Sequence, residues 1–239
     1  MTFRELFVDI FTKNGLEAYV SEEIMARFER LTEIMVAKNQ VMNVTALTTP
    51  EKIIPLHYAD CVKMAVLIPE GATVIDIGCG GGFPILPLAI VRPDLKITGL
   101  DSTDKKIRYV QETADQLGLR ISTISGRAED VAKMAGHRDG YDVAISRAVA
   151  RLNVLDELCL PFVKVGGVLL AMKGSAGQEE ADEAKVGIQK LGGCIETMNE
   201  YDLVTCDEVE KRWLIRVAKD LPTPKEFPRG FGAIKKKPL

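Results

Sequence analysis

The most informative stretch of this 239-residue sequence is Val74-Ile75-Asp76-Ile77-Gly78-Cys79-Gly80-Gly81-Gly82-Phe83-Pro84. The apolar run from Thr73 to Ile77 predicts a buried strand, and four glycines follow it within five residues. Glycine lets a backbone turn sharply with positive φ and lets a ligand approach where a Cβ would collide. A strand, a glycine turn and a helix in this order are typical of a nucleotide-binding site.

The spacing of these glycines narrows the type of site. A dinucleotide fingerprint needs G-x-G-x-x-G, but counting from Gly78 puts Phe83 where the third glycine should stand. The pattern present is D-x-G-x-G-x-G, on Asp76, Gly78, Gly80 and Gly82. It resembles motif I of the S-adenosylmethionine (SAM) methyltransferases, in which the turn passes under the amino-acid part of SAM. The resemblance makes these four residues cofactor-binding candidates. A NAD site and a turn without a ligand are the alternatives.

Composition bounds the class of protein. With 46% apolar residues the chain is long enough for one sizeable core, and no apolar run approaches the ~20 residues that span a bilayer. The first nine residues carry acids and do not resemble a signal peptide. The five cysteines are scattered without a C-x-x-C pair, which predicts reduced thiols in a cytoplasmic protein. With only two histidines, no metal site is predicted.

Charge is distributed unevenly along the chain. The net charge is −3, yet the segment from Lys211 to Leu239 holds nine Lys/Arg and only two Asp/Glu. An acidic body with a basic tail argues against general coating of nucleic acid and favours a local anchor to phosphates. A tail that only keeps the chain soluble is the alternative.

The pattern of apolar residues divides the chain into three parts. Residues 1–70 predict an N-terminal helical extension, with Ser21 as the N-cap of the second helix and a third helix beginning near Pro55. Residues 71–220 alternate strands and helices, which predicts an α/β fold with a seven-stranded, mostly parallel sheet and helices on both faces. Residues 221–239 form a basic tail that we expect to be irregular. The predicted strands are Thr73–Ile77, Lys96–Leu100, Arg120–Ser125, Tyr141–Ser146, Gly167–Met172, Cys194–Tyr201 and Trp213–Val217.

Parallel sheets bind ligands beyond the carboxyl ends of their strands, so those ends supply further candidates. Asp101 ends the second strand about 20 residues after the glycines, where an acid commonly accepts hydrogen bonds from ribose hydroxyls; capping of the next helix is its alternative role. Ala128 and Glu129 follow the third strand, in the loop that flanks adenine in methyltransferases. Arg147 ends the fourth strand and is suited to an anionic or planar group, or to a salt bridge with a loop acid such as Asp76.

The residues after the fourth strand also exclude two chemistries. Methyltransferases of exocyclic base amines usually carry Asn/Asp-Pro-Pro-Tyr/Phe here, whereas this chain has Ser146-Arg147-Ala148-Val149. Methylation of pyrimidine C5 needs a cysteine nucleophile, often as Pro-Cys, and neither Cys79 nor Cys159 follows a proline.

The ordered motifs together resemble one family over nearly the whole chain, the ribosomal RNA small-subunit methyltransferase G family, also called glucose-inhibited division protein B. Beyond motif I, the motifs are Asn43-Val44-Thr45, His57-Tyr58-Ala59-Asp60, Phe83-Pro84 through Arg92-Pro93, Leu100-Asp101-Ser102, Ile145-Ser146-Arg147-Ala148, Met172-Lys173-Gly174 and the tail from Phe227 to Leu239. The resemblance implies methylation of guanine N7 in the 530 loop of 16S rRNA, at position 527 in standard rRNA numbering. It also implies SAM contacts at Gly78, Phe83, Ala128, Glu129 and Arg147, with S-adenosylhomocysteine as the product.

This reaction fits a site without a nucleophile–base pair. Guanine N7 has an in-plane lone pair and no proton, so it can attack the sulfonium methyl directly, and catalysis rests on positioning and desolvation. Arg147, His57 and Asp60 are the positioning candidates; a packing role within the helical extension is the alternative for His57 and Asp60.

The expected partner is 16S rRNA or the small ribosomal subunit, with no membrane contact, and we expect a monomer. Candidates for contacts to RNA phosphates are basic residues of the tail and of the helix after the second strand: Arg229, Lys235, Lys236, Lys237, Lys105, Lys106 and Arg108. A SAM-dependent methyltransferase of another RNA or of a small molecule, and a non-catalytic regulator that binds SAM or NAD, are the competing functions.

Overall fold

The computed structural model describes residues 1–239, which fold around a seven-stranded sheet. Its strands are β1 (Thr73–Ile77), β2 (Lys96–Asp101), β3 (Ile121–Ser125), β4 (Tyr141–Arg147), β5 (Val163–Lys173), β6 (Gly193–Val204) and β7 (Val209–Lys219). Their order across the sheet is β3-β2-β1-β4-β5-β7-β6. Only β7 runs antiparallel to its neighbours, and the remaining pairs are parallel. This confirms the predicted mostly parallel sheet of seven strands.

Helices cover both faces of this sheet. They are α1 (Phe3–Lys13), α2 (Glu22–Asn39), α3 (Pro50–Ile53), α4 (Asp60–Val62), α5 (Ile85–Val91), α6 (Asp104–Gln116), α7 (Ala128–Val131), α8 (Leu152–Cys159), α9 (Gly177–Lys190) and α10 (Phe231–Lys236). Successive residues of a strand point to opposite faces, and those of β4 join different apolar clusters: Val143 and Ile145 belong to one, Ala144 to the other. A strand apolar on both faces is buried between two helical layers.

The N-terminal helices pack on one of these faces. Thr2 and Glu5 form a reciprocal capping box at the start of α1, and the side chain of Ser21 caps α2 as predicted. The rings of Phe7 and Phe11 stack with centroids 3.8 Å apart, and Phe28 of α2 packs against both. These side chains share one cluster with the sheet, so the extension is held by a common core.

The third helix begins earlier than predicted, at Pro50 rather than near Pro55. Proline suits the first turn because its missing N–H would have no helical partner there, and Pro50 takes that position. Pro55 instead lies inside a wider π-helical turn, Ile54–Ala59, which joins α3 to α4. π-Turns within helices are frequent at functional sites, and this one carries His57.

The tail is also more ordered than predicted, because it contains α10 instead of being irregular throughout. Ile234 of α10 is fully buried in the cluster that includes α8 residues, and this apolar contact holds the short helix against the body. None of the helices is both long enough and apolar enough to cross a lipid bilayer.

Candidate active site

A cavity of about 420 Å³ opens at the carboxyl ends of β1, β2, β3 and β4. Its volume lies within the range of small-molecule sites, and its position is the one that parallel α/β sheets use for ligands. Residues from the predicted glycine turn, from the end of β2, from the loop before α7 and from the end of β4 all line it. The topology therefore brings together candidates that lie up to about 70 residues apart in the sequence.

The glycine turn forms one wall of this cavity. Gly78 has φ of +78°, and a Cβ built there would lie 2.6 Å from Cγ2 of Val149. Gly82, with φ of +88°, has no room for a side chain because Leu86 packs against it. Gly78, Gly80 and Phe83 line the cavity, whereas Gly82 shapes the turn from behind. The wall is thus built from main chain, which lets a ligand approach closely.

Asp101 lies beside this turn at the cavity edge. One carboxylate oxygen accepts the backbone N–H of Gly80 over 3.0 Å, and the other accepts that of Thr103 over 2.8 Å. The second hydrogen bond resembles an Asx turn that leads into α6. Asp101 therefore supports the start of this helix and also lines the cavity. Each carboxylate oxygen has two lone pairs, and both retain capacity to accept a ligand hydroxyl.

Asp76 does not line the cavity. Its carboxyl group is fully buried, and neither oxygen has a hydrogen-bond partner within the protein. Burial raises the pKa of this carboxyl well above its usual range. The sequence placed Asp76 among the cofactor-binding candidates, and the structure places it in the strand behind the turn.

Arg147, His57 and Asp60 form one connected cluster. Arg147 donates to the carbonyl of Leu56 at 2.8 Å, to Oδ2 of Asp60 at 3.2 Å and to Nδ1 of His57 at 2.8 Å. Tyr201 donates to the other oxygen of Asp60 at 2.8 Å. The ion pair considered between Arg147 and Asp76 is therefore not the one formed, because Asp60 supplies the closer carboxylate.

His57 is the member of this cluster that contacts Phe83 at the end of the glycine turn. Its ring stacks on Phe83 with centroids 4.2 Å apart and planes within 10°. Burial, together with the positive charge of Arg147, lowers the pKa of His57 from 6.5 to about 3. The imidazole is therefore neutral near pH 7.

A second cavity, of about 370 Å³, adjoins the first, and His57, Arg147 and Ala148 line both. Ala148 has φ of +57°, in the left-handed region that a non-glycine residue rarely adopts. Asp60 and Arg212 line the second cavity only. The cluster is thus a partition between two pockets, one against the glycine turn and one with charged walls.

The first cavity is also lined by Ala128 and Glu129, as the sequence predicted, and by Phe231 of α10, which the sequence did not single out. Reasoning from strand ends could not find Phe231, because it comes from the tail. Thr45 of the Asn43-Val44-Thr45 motif also lines the cavity.

The basic residues predicted to contact RNA phosphates differ in their exposure and in their ion pairs. Lys106 lines the first cavity, whereas Lys105 is exposed and Arg108 pairs with Asp104 on the surface of α6. Lys235, Lys236 and Lys237 are exposed. Arg229 is different: it donates from its main chain and its guanidinium to Glu157, which is fully buried in α8. Its guanidinium is partly exposed but paired with this buried carboxylate, so Arg229 is not the unpaired phosphate anchor that the sequence predicted.

Sheet order, glycine turn and cavity together define the class: a Rossmann-like methyltransferase fold. A solved structure that it resembles is M. jannaschii TYW2 in complex with AdoMet, with a TM-score of 0.54 and 17% identity, covering 67% of this chain and 74% of that one. At this identity the likeness shows the fold.

The family follows from the sequence matches. The profile of GidB, rRNA small subunit methyltransferase G, matches residues 24–206. A relative of that name from Leuconostoc citreum is 37% identical over 240 residues, covering 98% of each chain. Another, from Clostridium botulinum, is 46% identical over 204 residues, covering 84% of each chain. The chain belongs to the rRNA small subunit methyltransferase G family, a family of SAM-dependent methyltransferases, which confirms the resemblance seen in the motifs.

Proposed function

We propose that this protein transfers the methyl group of SAM to guanine N7 in the 530 loop of 16S rRNA, at position 527, in the bacterial cytoplasm. The family and the names of its relatives support rRNA as the substrate class. The observation that carries the proposal is the pair of adjoining cavities with a shared wall at Arg147 and His57. One cavity suits the cofactor, and the other leaves room for an extruded base next to it.

The residues of the first cavity suit SAM. Main-chain atoms of Gly78 and the ring of Phe83 border the space for its amino-acid part, and Asp101 offers acceptors for ribose hydroxyls. Ala128 and Glu129 border the space for adenine, and Arg147 would face the cofactor's carboxylate. Gly80 and Gly82 give the turn its positive-φ conformation, and Asp76 lies in the strand that leads into it. When bound, SAM supplies an electrophilic methyl group on a sulfonium ion.

The protein needs no general base for this reaction, and the cluster offers none. Both ring nitrogens of His57 are engaged, Nδ1 by Arg147 and Nε2 by Thr45, so the imidazole is held as a positioning group. Guanine N7 brings its own lone pair, and the positive charge passes from sulfur to the purine. The residues then act by aligning N7 with the methyl carbon and excluding water.

The decisive experiment uses small ribosomal subunits from a strain that lacks this gene. We expect labelled methyl transfer from SAM, and chemical cleavage at 7-methylguanine should map it to position 527. Deproteinised 16S rRNA, tested in parallel, distinguishes free RNA from the assembled subunit as substrate. SAM binding in equilibrium dialysis without transfer to either RNA would favour the regulator, and binding of NAD instead of SAM would overturn the proposal.

A further inference from the structure

The C-terminal segment contributes an aromatic ring to the cofactor cavity. We propose that Phe231 contacts the adenine ring of the cofactor and that the Arg229–Glu157 ion pair holds Phe231 in place. This inference rests on the proposed function, because it assigns a ligand group to a wall of the same cavity. The tail then serves SAM binding as well as any contact with RNA.

The position of Phe231 in the cavity favours a contact with adenine. Its ring lines the cavity at the end where the loop before α7 supplies Arg127 and Ala128. The guanidinium carbon of Arg127 lies 5.9 Å from the ring centroid. Aromatic rings pack favourably on the faces of bases, so a half-buried phenyl ring at this end of the cavity is suited to adenine.

Contacts on both sides of Phe231 anchor the tail to the body of the protein. Two residues before Phe231, the backbone N–H of Arg229 donates to Glu157 over 2.7 Å, and its Nη2 donates to the other oxygen over 2.6 Å. Glu157 is fully buried and directly precedes Leu158, which lines the cavity. Three residues after Phe231, Ile234 is fully buried as well. Phe231 is thus fixed from both sides.

The segment before this anchor is held independently. The guanidinium of Arg138 donates to the carbonyls of Phe227 at 2.9 Å and Thr223 at 2.8 Å. A tail that only carried lysines to a phosphate backbone would not need main-chain bonds along its length. A ring that only filled the core would be as buried as Ile234, whereas Phe231 is half-buried and borders the cavity.

The test compares Phe231→Ala with Phe231→Tyr and with Phe3→Ala in the full chain. Phe3 is a matched control, because it is also a half-buried phenylalanine in a terminal helix but does not line the cavity. We expect isothermal titration calorimetry to show about tenfold weaker binding of both SAM and S-adenosylhomocysteine to Phe231→Ala, on the order of one lost aromatic contact. Phe231→Tyr and Phe3→Ala should bind within about twofold of wild type.

Equal losses for the two ligands would assign the effect to the shared adenosine part rather than to the sulfonium. Arg229→Ala should also weaken binding, and if it does not fold, the Phe231 variants still decide the question. If wild type binds neither ligand, the proposed function fails first. If wild type binds and Phe231→Ala binds as tightly, or if Phe3→Ala loses as much affinity, the role of Phe231 is refuted.

Discussion

Arg147 donates a hydrogen bond from Nη2 to Nδ1 of His57 over 2.8 Å. A guanidinium can only donate, so Nδ1 must be the unprotonated acceptor and the ring proton lies on Nε2. Nε2 in turn lies 2.8 Å from the hydroxyl oxygen of Thr45, which it can reach as donor. The arginine thereby determines both the tautomer and the neutral state of the histidine at the partition between the two cavities.

The first prediction concerns stability at acid pH. The folded pKa of His57, about 3, lies below its unfolded value near 6.5, so only the unfolded chain gains this proton as pH falls below 6.5. The contribution of the neutral His57 side chain to the unfolding free energy is therefore complete above pH 6.5 and is lost as the pH falls toward 3. Urea unfolding of wild type and His57→Gln should show the difference in unfolding free energy shifting by about 1 kcal/mol between pH 7.5 and 5.5. Parallel stability curves would contradict the assignment.

The second prediction compares two neighbouring arginines. Arg147→Ala removes the closer of the two cations beside the buried carboxylate of Asp60, leaving Arg212 at 4.0 Å, and should cost about 3 kcal/mol of unfolding free energy. Arg151 is half-exposed and pairs with Glu179 and Glu183 on the surface, so Arg151→Ala should cost less than about 1 kcal/mol. Chemical denaturation measures both. Similar losses would mean that the buried cluster does not hold the partition together.

The third prediction tests the ribose assignment. Asp101→Ala removes the carboxylate beside the glycine turn and should weaken SAM binding at least about tenfold, as expected for lost hydrogen bonds to a charged group. Asp104→Ala, three residues later, breaks only an exposed pair with Arg108 and serves as the control. Calorimetric titration with SAM gives both affinities. Equal affinities in the two variants would remove Asp101 from the cofactor site.

The fourth prediction concerns the tail lysines. Replacing Lys235, Lys236 and Lys237 by alanine should lower methylation of small subunits at physiological salt and flatten its salt dependence, because each phosphate contact releases counterions. The control replaces three exposed lysines near the opposite, amino-terminal ends of the parallel strands: Lys96, Lys190 and Lys164, of which Lys164 pairs with Asp142. Initial rates at several salt concentrations are the measurement. If both triple variants behave alike, the tail has no special role in RNA binding.

Short-range sequence patterns were sufficient for much of the fold. β1 begins and ends at the predicted residues, β2, β3 and β4 differ from the prediction by one residue at one end, and Ser21 caps α2 as predicted. β5, β6 and β7 extend beyond the predicted residues at both ends. Asp101 and Ala128 could be placed at the cavity because the carboxyl ends of parallel strands meet at one edge. These features depend on backbone geometry within a few residues or on a rule that holds for every parallel sheet.

Contacts between distant segments decided which charged and aromatic side chains meet at the site. Asp60, rather than Asp76, pairs with Arg147, because the π-turn before α4 brings that carboxylate to the end of β4. Arg229 was expected to bind a phosphate, but it pairs with the buried Glu157. This pair lies two residues before Phe231, which lines the cavity. Such pairs form between residues far apart in the chain, where only the packed core sets which charges and rings meet.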